Sequence, residues 1–474
     1  MSRACVIGSG PNGLAAAIVL AQAGLSVDVY EAEAEPGGAT RTLPLTLSGF
    51  VHDFGSAVYP FAAGSPFFNA LPLANFGLEW VHGEAPVAHP LDEGTAVVLE
   101  RDVARAERVL GLDGREWRRL VEPAVKDWNE FAEDSLGPIL RVPHHPLRMA
   151  QFGLTAFQSA QSFARSHFST LRTRAVFAGL AGHSFLSFDR PLSATIGLMF
   201  AISVHAVGWP IPRGGAQAIA NALIGYLKSL GGTVHTSRRI DAEALRELEA
   251  DNALLFFDTT PRQLLAIAGK RLKPDYRRAL EQFQQGPGAF KIDYALSQPV
   301  PWRAADCHRA ITVHLGGTFE EVAEAEDAVA RGVCAERPFV LVAQPTLFDR
   351  TRAPEGKHVL WAYCHVPNGS TFDMTERIEG QIERFAPGFR DCILARNVST
   401  PAKLEAMDAN LVGGDISGGA MTMRQMLFRP VLGGYATGSP NLYLCSASTP
   451  PGGGVHGMCG YHAAKLALSK LRIS

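Results

Sequence analysis

Cysteine is scarce in this 474-residue sequence: seven residues, standing far apart at Cys5, Cys307, Cys334, Cys364, Cys392, Cys445 and Cys459. An odd number with no Cys-x-x-Cys argues against a disulfide framework, a zinc site or a redox dithiol, and the expectation is no metal. Structural thiols in a reducing, cytoplasmic setting are expected instead. An excess of charge is also lacking, since 44 Lys and Arg face 46 Asp and Glu. That near balance gives no electrostatic ground for binding nucleic acid. No charged leader with an apolar core opens the sequence, so no secretory signal is expected. Long apolar runs are missing too. The longest, residues 192–207, carries Ser193, Thr195, Ser203 and His205 and falls short of the ~20 residues of a membrane span. It is expected to be a buried helix, with peripheral membrane contact and homo-oligomerisation left open.

What is present is apolar. Hydrophobic residues make up 47% and charged residues 19%, the balance of a chain with a large core, and its length exceeds one ordinary domain. Phe outnumbers Tyr by 26 to 9, which suits a wide apolar interior or an apolar ligand cavity. Residues 102–200 read as helical. Within them Phe152, Phe157, Phe163, Phe168, Phe177, Phe185 and Phe188 are read as a helical cap over something apolar. Strands are expected at 290–296, 339–344 and 358–365, and the acidic stretch 320–327 as the solvated face of a helix.

The opening reads strand (4–7), glycine turn, helix (14–23), strand (27–30), with Glu31 at the second strand's tip. Gly8, Gly10 and Gly13 form a G-x-G-x-x-G turn. Its glycines allow a tight turn, approach of backbone to a pyrophosphate, and close helix–strand packing. Glu31 lies 23 residues beyond Gly8, close to the spacing at which an acid accepts hydrogen bonds from a ribose. It would repel a 2′-phosphate, which disfavours NADP. Gly37-Gly38 soon after would let a second backbone segment approach the cofactor, as a long flavin nucleotide requires. A second block follows: the turn Pro212-Arg213-Gly214-Gly215, a helix, and strands at 233–236 and 253–257, the last leading into Asp258-Thr259-Thr260-Pro261. Near the other end an apolar strand runs into Ser446-Ala447 and then Pro450-Pro451-Gly452-Gly453-Gly454-Val455-His456 before a final helix. A helix N-terminus there could stabilise negative charge on a reduced flavin ring. The two ends of the chain are thus expected to meet at one cofactor.

These motifs, together with the run Gly49-Phe50-Val51-His52-Asp53-Phe54-Gly55-Ser56, resemble those of the phytoene-desaturase-like FAD-dependent oxidoreductases. That family includes carotenoid isomerases and retinol saturases and is related to amine oxidases and Rab GDP-dissociation inhibitors. Within it the sequence looks most like the bacterial branch akin to the pyridine nucleotide-disulfide oxidoreductase domain proteins. The resemblance implies an α/β fold, with a Rossmann-type FAD-binding domain of the glutathione-reductase/amine-oxidase kind and a discontinuous α+β substrate domain. Residues 1–80, 206–287 and 415–474 would form the first, and 81–205 and 288–414 the second, with its helical cap. It also implies FAD as cofactor. Gly8, Gly10, Pro11, Asn12, Gly13, Glu31 and Ala32 would hold the ADP half, with Ile240 on the adenine side through backbone. Gly37, Gly38, Ala39, Arg41 and Thr42 would lie along the pyrophosphate and ribityl chain. Ser56 and Ala57 would approach the ring, and Ser446, Ala447, Gly454, Val455 and Met458 would close the site. Two departures stand out. Ser446-Ala447 occupy the place of a Gly-Asp pair in many relatives, and Glu35-Pro36 precede the glycines where an R-x-G-G-R motif would put its first arginine.

No second G-x-G-x-x-G follows a strand, so a separate NAD(P)H domain is not expected, and an acceptor such as oxygen or a quinone is implied. Among titratable residues His456 is the candidate catalytic group; His183, His205 and His462 are weighed beside it as structural histidines. The reaction expected is hydride transfer between a hydrophobic or lipid-like substrate and the flavin N5, of the desaturase or dehydrogenase kind. A redox-neutral isomerase or a saturase is the alternative, and a non-catalytic binding protein the second.

Overall fold

The glycine turn sits where the sequence places it. In the computed structural model, which describes residues 3–138, 141–250, 254–432 and 434–471, strand Arg3–Ile7 leads into helix Pro11–Gln22 and strand Ser26–Tyr30. Pro11 at the first helical position fits because its missing N–H would be unpaired there in any case. Gly24 (φ +85°) ends the segment in the left-handed region. Five strands make a parallel sheet in the order Leu442–Leu444, Leu254–Phe257, Arg3–Ile7, Ser26–Tyr30, Thr233–His235. The first residue of the strand expected at 253–257, Ala253, lies outside the described residues. Strand Leu254–Phe257 is buried along its whole length, as a parallel strand covered on both faces must be. The last helix, Met458–Leu471, lies against the first. A Cβ on Gly460 would fall 1.8 Å from the Asn12 carbonyl oxygen, so only glycine permits the contact that joins the two ends of the chain.

A second, mixed sheet of seven strands runs in the order Ile393–Ser399, Gly288–Leu296, His358–Val366, Val340–Ala343, Ala310–Leu315, Ala85–Pro90, Ala96–Leu99. The three strands expected from the pattern are present. The other four are two short strands drawn from before the helical stretch, a six-residue buried strand, and an edge strand of mixed polarity. Side chains alternate across this sheet. Phe290, Ile292 and Tyr294 enter one apolar core with Val313, Val340, Val342, Leu360 and Ala362, while Ala289, Lys291 and Thr312 face a cavity on the other side.

The helical stretch covers that cavity, and helix Ser193–Ala206 is buried within it. No described helix is long and apolar enough to cross a membrane. The phenylalanines of the cap behave differently from expectation. Phe163, Phe168, Phe177 and Phe188 are buried among themselves and their neighbours, with Phe163 and Phe177 stacked at 4.8 Å. Phe157 is 52% exposed, and of the seven only Phe185 lines the cavity. The cap is thus mostly its own core, each buried ring contributing ~1.5–3 kcal/mol. The acidic stretch forms helix Phe319–Ala330, but Glu326 on it is not solvated: it is buried and pairs with His365 Nδ1 at 2.8 Å. None of the seven cysteines forms a disulfide among the described residues, and six of them are buried.

Candidate active site

A groove crosses the carboxyl ends of the parallel strands, where open α/β sheets bind their ligands. Gly8, Gly10, Glu31, Ala32, Gly38, Arg41, Arg238, Ile240 and Asp258 are among the residues lining it. The buried Glu31 carboxylate accepts the Ser9 N–H at 3.0 Å and the Glu33 N–H at 2.9 Å, and also the Ser9 hydroxyl. Ser9 Oγ in turn accepts the Gly37 N–H at 3.0 Å, which ties the two glycine segments together. At the mouth of the turn Asp258 Oδ2 accepts the Gly13 N–H at 2.8 Å. A Cβ on Gly13 would lie 2.3 Å from the Gly8 carbonyl oxygen and 3.0 Å from Asp258. Burial raises the Asp258 carboxyl to about 7, helped by Asp408 and Glu31 and opposed by the Gly13 N–H.

The groove adjoins a cavity of about 340 Å³ lying between the parallel sheet, the cap and the mixed sheet. Gly10, Gly38, Asp258, Asp408 and Asn410 line both spaces. Phe54, Phe61, Phe200, Trp361 and Tyr363 add aromatic surface to walls that are mainly apolar. Lys291 brings a cationic group to them. It is 3% exposed, its Nζ is bonded to the Asp293 carboxylate, and it lies 6.0 Å from the Trp361 ring centroid. Burial lowers its pKa and raises that of Asp293, which brings the pair closer to exchanging its proton.

Pro11, Asn12, Ala39, Ser56, Ala57, Ser446, Ala447, Gly454 and Val455 also line the cavity. Gly13, Gly37, Thr42 and Met458 stand behind the lining. Thr42 Oγ1 donates to Asp53 Oδ1 at 2.9 Å and accepts the Gln217 N–H at 3.0 Å, and Asp53 also accepts the Ala216 N–H at 2.7 Å. This is why the run 49–56 and the turn 212–215 both belong to the site: they hold each other. Met458 starts the last helix, and His456 caps it, its Nδ1 accepting the Met458 N–H at 3.0 Å. His456 is 1% exposed, is absent from the cavity lining, and is pushed down by burial to about 4. His205 is likewise held by Trp117 Nε1 at 2.9 Å, and His462 lies 3.3 Å from the Leu136 carbonyl oxygen. Only His183 of the four reaches the cavity.

Several lining residues escaped the sequence reading. Asp258 was visible only as the start of a helix. Lys291 and Asp293 stand two apart in an otherwise apolar strand, and that pattern was the available signal. Asp408, Asn410 and the turn 415–418 come from a stretch whose repeated glycines, Gly413, Gly414, Gly418 and Gly419, mark close backbone packing. Among the described residues no group of His, Cys, Asp and Glu could hold a metal ion.

The residues fit a long, two-part dinucleotide. The groove and the cavity adjoin, Glu31 keeps acceptor capacity for a further donor, and the buried Asn12 Oδ1 and Thr259 Oγ1 at the two spaces have no hydrogen-bond partner. Known proteins agree. Residues 6–70 match the model of the NAD(P)-binding Rossmann-like domain. The chain is 26% identical to the rat (Rattus norvegicus) pyridine nucleotide-disulfide oxidoreductase domain-containing protein 2, covering 99% of this chain and 94% of that one. It is 25% identical to the lycopene-forming phytoene desaturase of Pseudescherichia vulneris, covering 99% of both. In fold it is similar to an oxidoreductase from Methanosarcina mazei, with a TM-score of 0.64 at 17% identity over 98% of this chain and all of the other. The α/β Rossmann-like architecture with its mixed second sheet, and these similarities along nearly the whole length, make the chain similar to phytoene-desaturase-like FAD-dependent oxidoreductases.

Proposed function

We propose that the protein binds FAD along the groove and into the cavity, and dehydrogenates an apolar or amphipathic substrate there. The observation that carries this reading is that the two spaces adjoin, sharing Gly10, Gly38, Asp258, Asp408 and Asn410 in their walls. It leaves room for a nucleotide at one end and a flat aromatic ring at the other. When bound, FAD supplies the hydride acceptor. The chain supplies the rest. Gly454, Val455, Ser56 and Ala57 form the wall against which the ring would lie. Phe61, Phe200 and Trp361 exclude water and orient the substrate. Lys291 Nζ, kept close to proton exchange by Asp293, takes up the proton the substrate loses as the hydride departs. One relative is a lycopene-forming phytoene desaturase, which supports dehydrogenation as the reaction class. With no second dinucleotide turn in the sequence, the electrons would pass to oxygen or a quinone.

Anaerobic mixing of the FAD-loaded protein with long-chain alkenes, lipids and amines tests the proposal. Loss of the flavin absorption near ~450 nm with at least one of them is expected. Absence of reduction across the whole set would overturn it.

A further inference from the structure

The cavity is lined by two polar groups that the dehydrogenation reading does not use. Thr312, on strand Ala310–Leu315, is 2% exposed and lines the cavity, and its Oγ1 has no hydrogen-bond partner. His314 follows two residues later on the same face of the strand. Its Nε2 lies 3.0 Å from Nε2 of His183, which reaches into the cavity from the cap. His183 Nδ1 makes no hydrogen bond among the described residues. Buried polar atoms are paired in nearly all folded proteins, so the open Thr312 hydroxyl on the wall of an apolar cavity, which His183 also lines, marks a place for a polar group.

The chemistry of that group follows from the pair. A bond between two imidazole Nε2 atoms needs one donor and one acceptor, so the accepting ring is neutral, and with the donating ring neutral too the two hold complementary tautomers. Burial agrees, pushing His183 down to about 3 and His314 well below its ordinary range. An exchange of tautomers between the rings turns His183 Nδ1 from donor to acceptor, and the Thr312 hydroxyl can act as either. Neutral groups do not compensate the burial of a carboxylate or an ammonium ion. They do match a hydroxyl or a carbonyl. A run of rings leads from Gly454 to His183. Phe61 is the nearer ring, a Cβ on Gly454 falling 3.8 Å from it; Phe200 lies 4.9 Å beyond Phe61 and His183 a further 4.3 Å beyond Phe200, between centroids.

We infer that the substrate is a long apolar molecule ending in one neutral oxygen function, hydroxyl or carbonyl, which Thr312 and His183 hold at the cavity wall. His183 and Thr312 are then recognition residues, and His314 positions His183. The inference rests on the cavity being the substrate site.

Displacement of a bound polarity-sensitive fluorophore from the FAD-loaded protein, by 1-dodecanol and by dodecane in the same detergent, tests it. The wild type is expected to bind the alcohol about tenfold more tightly or better, as one or two buried hydrogen bonds would give. Thr312→Val, which keeps the shape, and His183→Leu should each bring that ratio towards one and leave dodecane binding unchanged. A ratio of one in the wild type, or an unchanged ratio in both variants, overturns the inference and leaves the apolar cavity standing. Failure of both ligands to displace the fluorophore overturns the cavity reading as well.

Discussion

The parallel sheet and the mixed sheet face the same space with different chemistry. On the parallel side much of the contact is made by backbone and small residues: Gly8, Gly10 and Gly38, with Ser446 and Ala447 just after the last strand. On the mixed side it is made by side chains of size and charge: Lys291, Thr312, Trp361 and Tyr363. The first surface suits a ligand that is always the same, because glycine turns fix backbone geometry and tolerate little change. The second suits a variable ligand, since any of its side chains can be exchanged without disturbing a turn. Within one fold the cofactor is read by the chain's path and the substrate by its decoration.

Substitutions on the two sides should therefore fail in different ways. The largest effect is expected from Gly13→Val. Its side chain would meet the Gly8 carbonyl oxygen, already 2.3 Å from a Cβ, and with backbone on both sides nothing can give way. FAD retention should be lost, with thermal stability falling by several kcal/mol; bound flavin after gel filtration and a melting curve check both. Lys291→Met on the mixed side should leave flavin content intact and lower kcat by roughly a hundredfold, as loss of a general base does. Rapid-mixing reduction rates would show it, and an equal loss of flavin would merge the two surfaces into one.

A smaller, pH-dependent effect belongs to Asp258. Its carboxyl is raised by burial to about 7, with Asp408 and Glu31 adding to the shift and the Gly13 N–H opposing it. A raised carboxyl stabilises the fold in its protonated form. That contribution is complete below the unfolded value near ~4 and is lost as pH rises through 7, at up to ~1.4 kcal/mol per pH unit. An anionic pyrophosphate beside it also favours the protonated acid, so FAD affinity should fall as pH rises above 7. Asp258→Asn should flatten both dependences, which titrations at pH 6 and pH 8 would measure.

The contrast between the sheets also explains what could be read from the sequence. The parallel half announces itself locally, because Gly8, Gly10, Gly13 and Glu31 act within one continuous strand–turn–helix–strand. Even the meeting of the chain ends was foreshadowed by the Gly452–Gly454 turn and its helix. The mixed half converges from afar. Lys291, Thr312, Trp361 and His183 come from four separate segments, and no spacing links them. His456 attracted notice through its neighbouring glycines, yet a histidine after a turn is as well placed to cap a helix, and that is its position here. The phenylalanine-rich stretch was a composition signal for apolar surroundings. It could not distinguish rings packed on each other from rings facing a ligand.

The absorption spectrum of the purified protein, with release and identification of any bound nucleotide, tests the central claim most directly. Flavin bands near ~450 nm and recovery of FAD are the predicted result. A protein that is colourless as isolated and takes up no FAD on reconstitution would contradict the account.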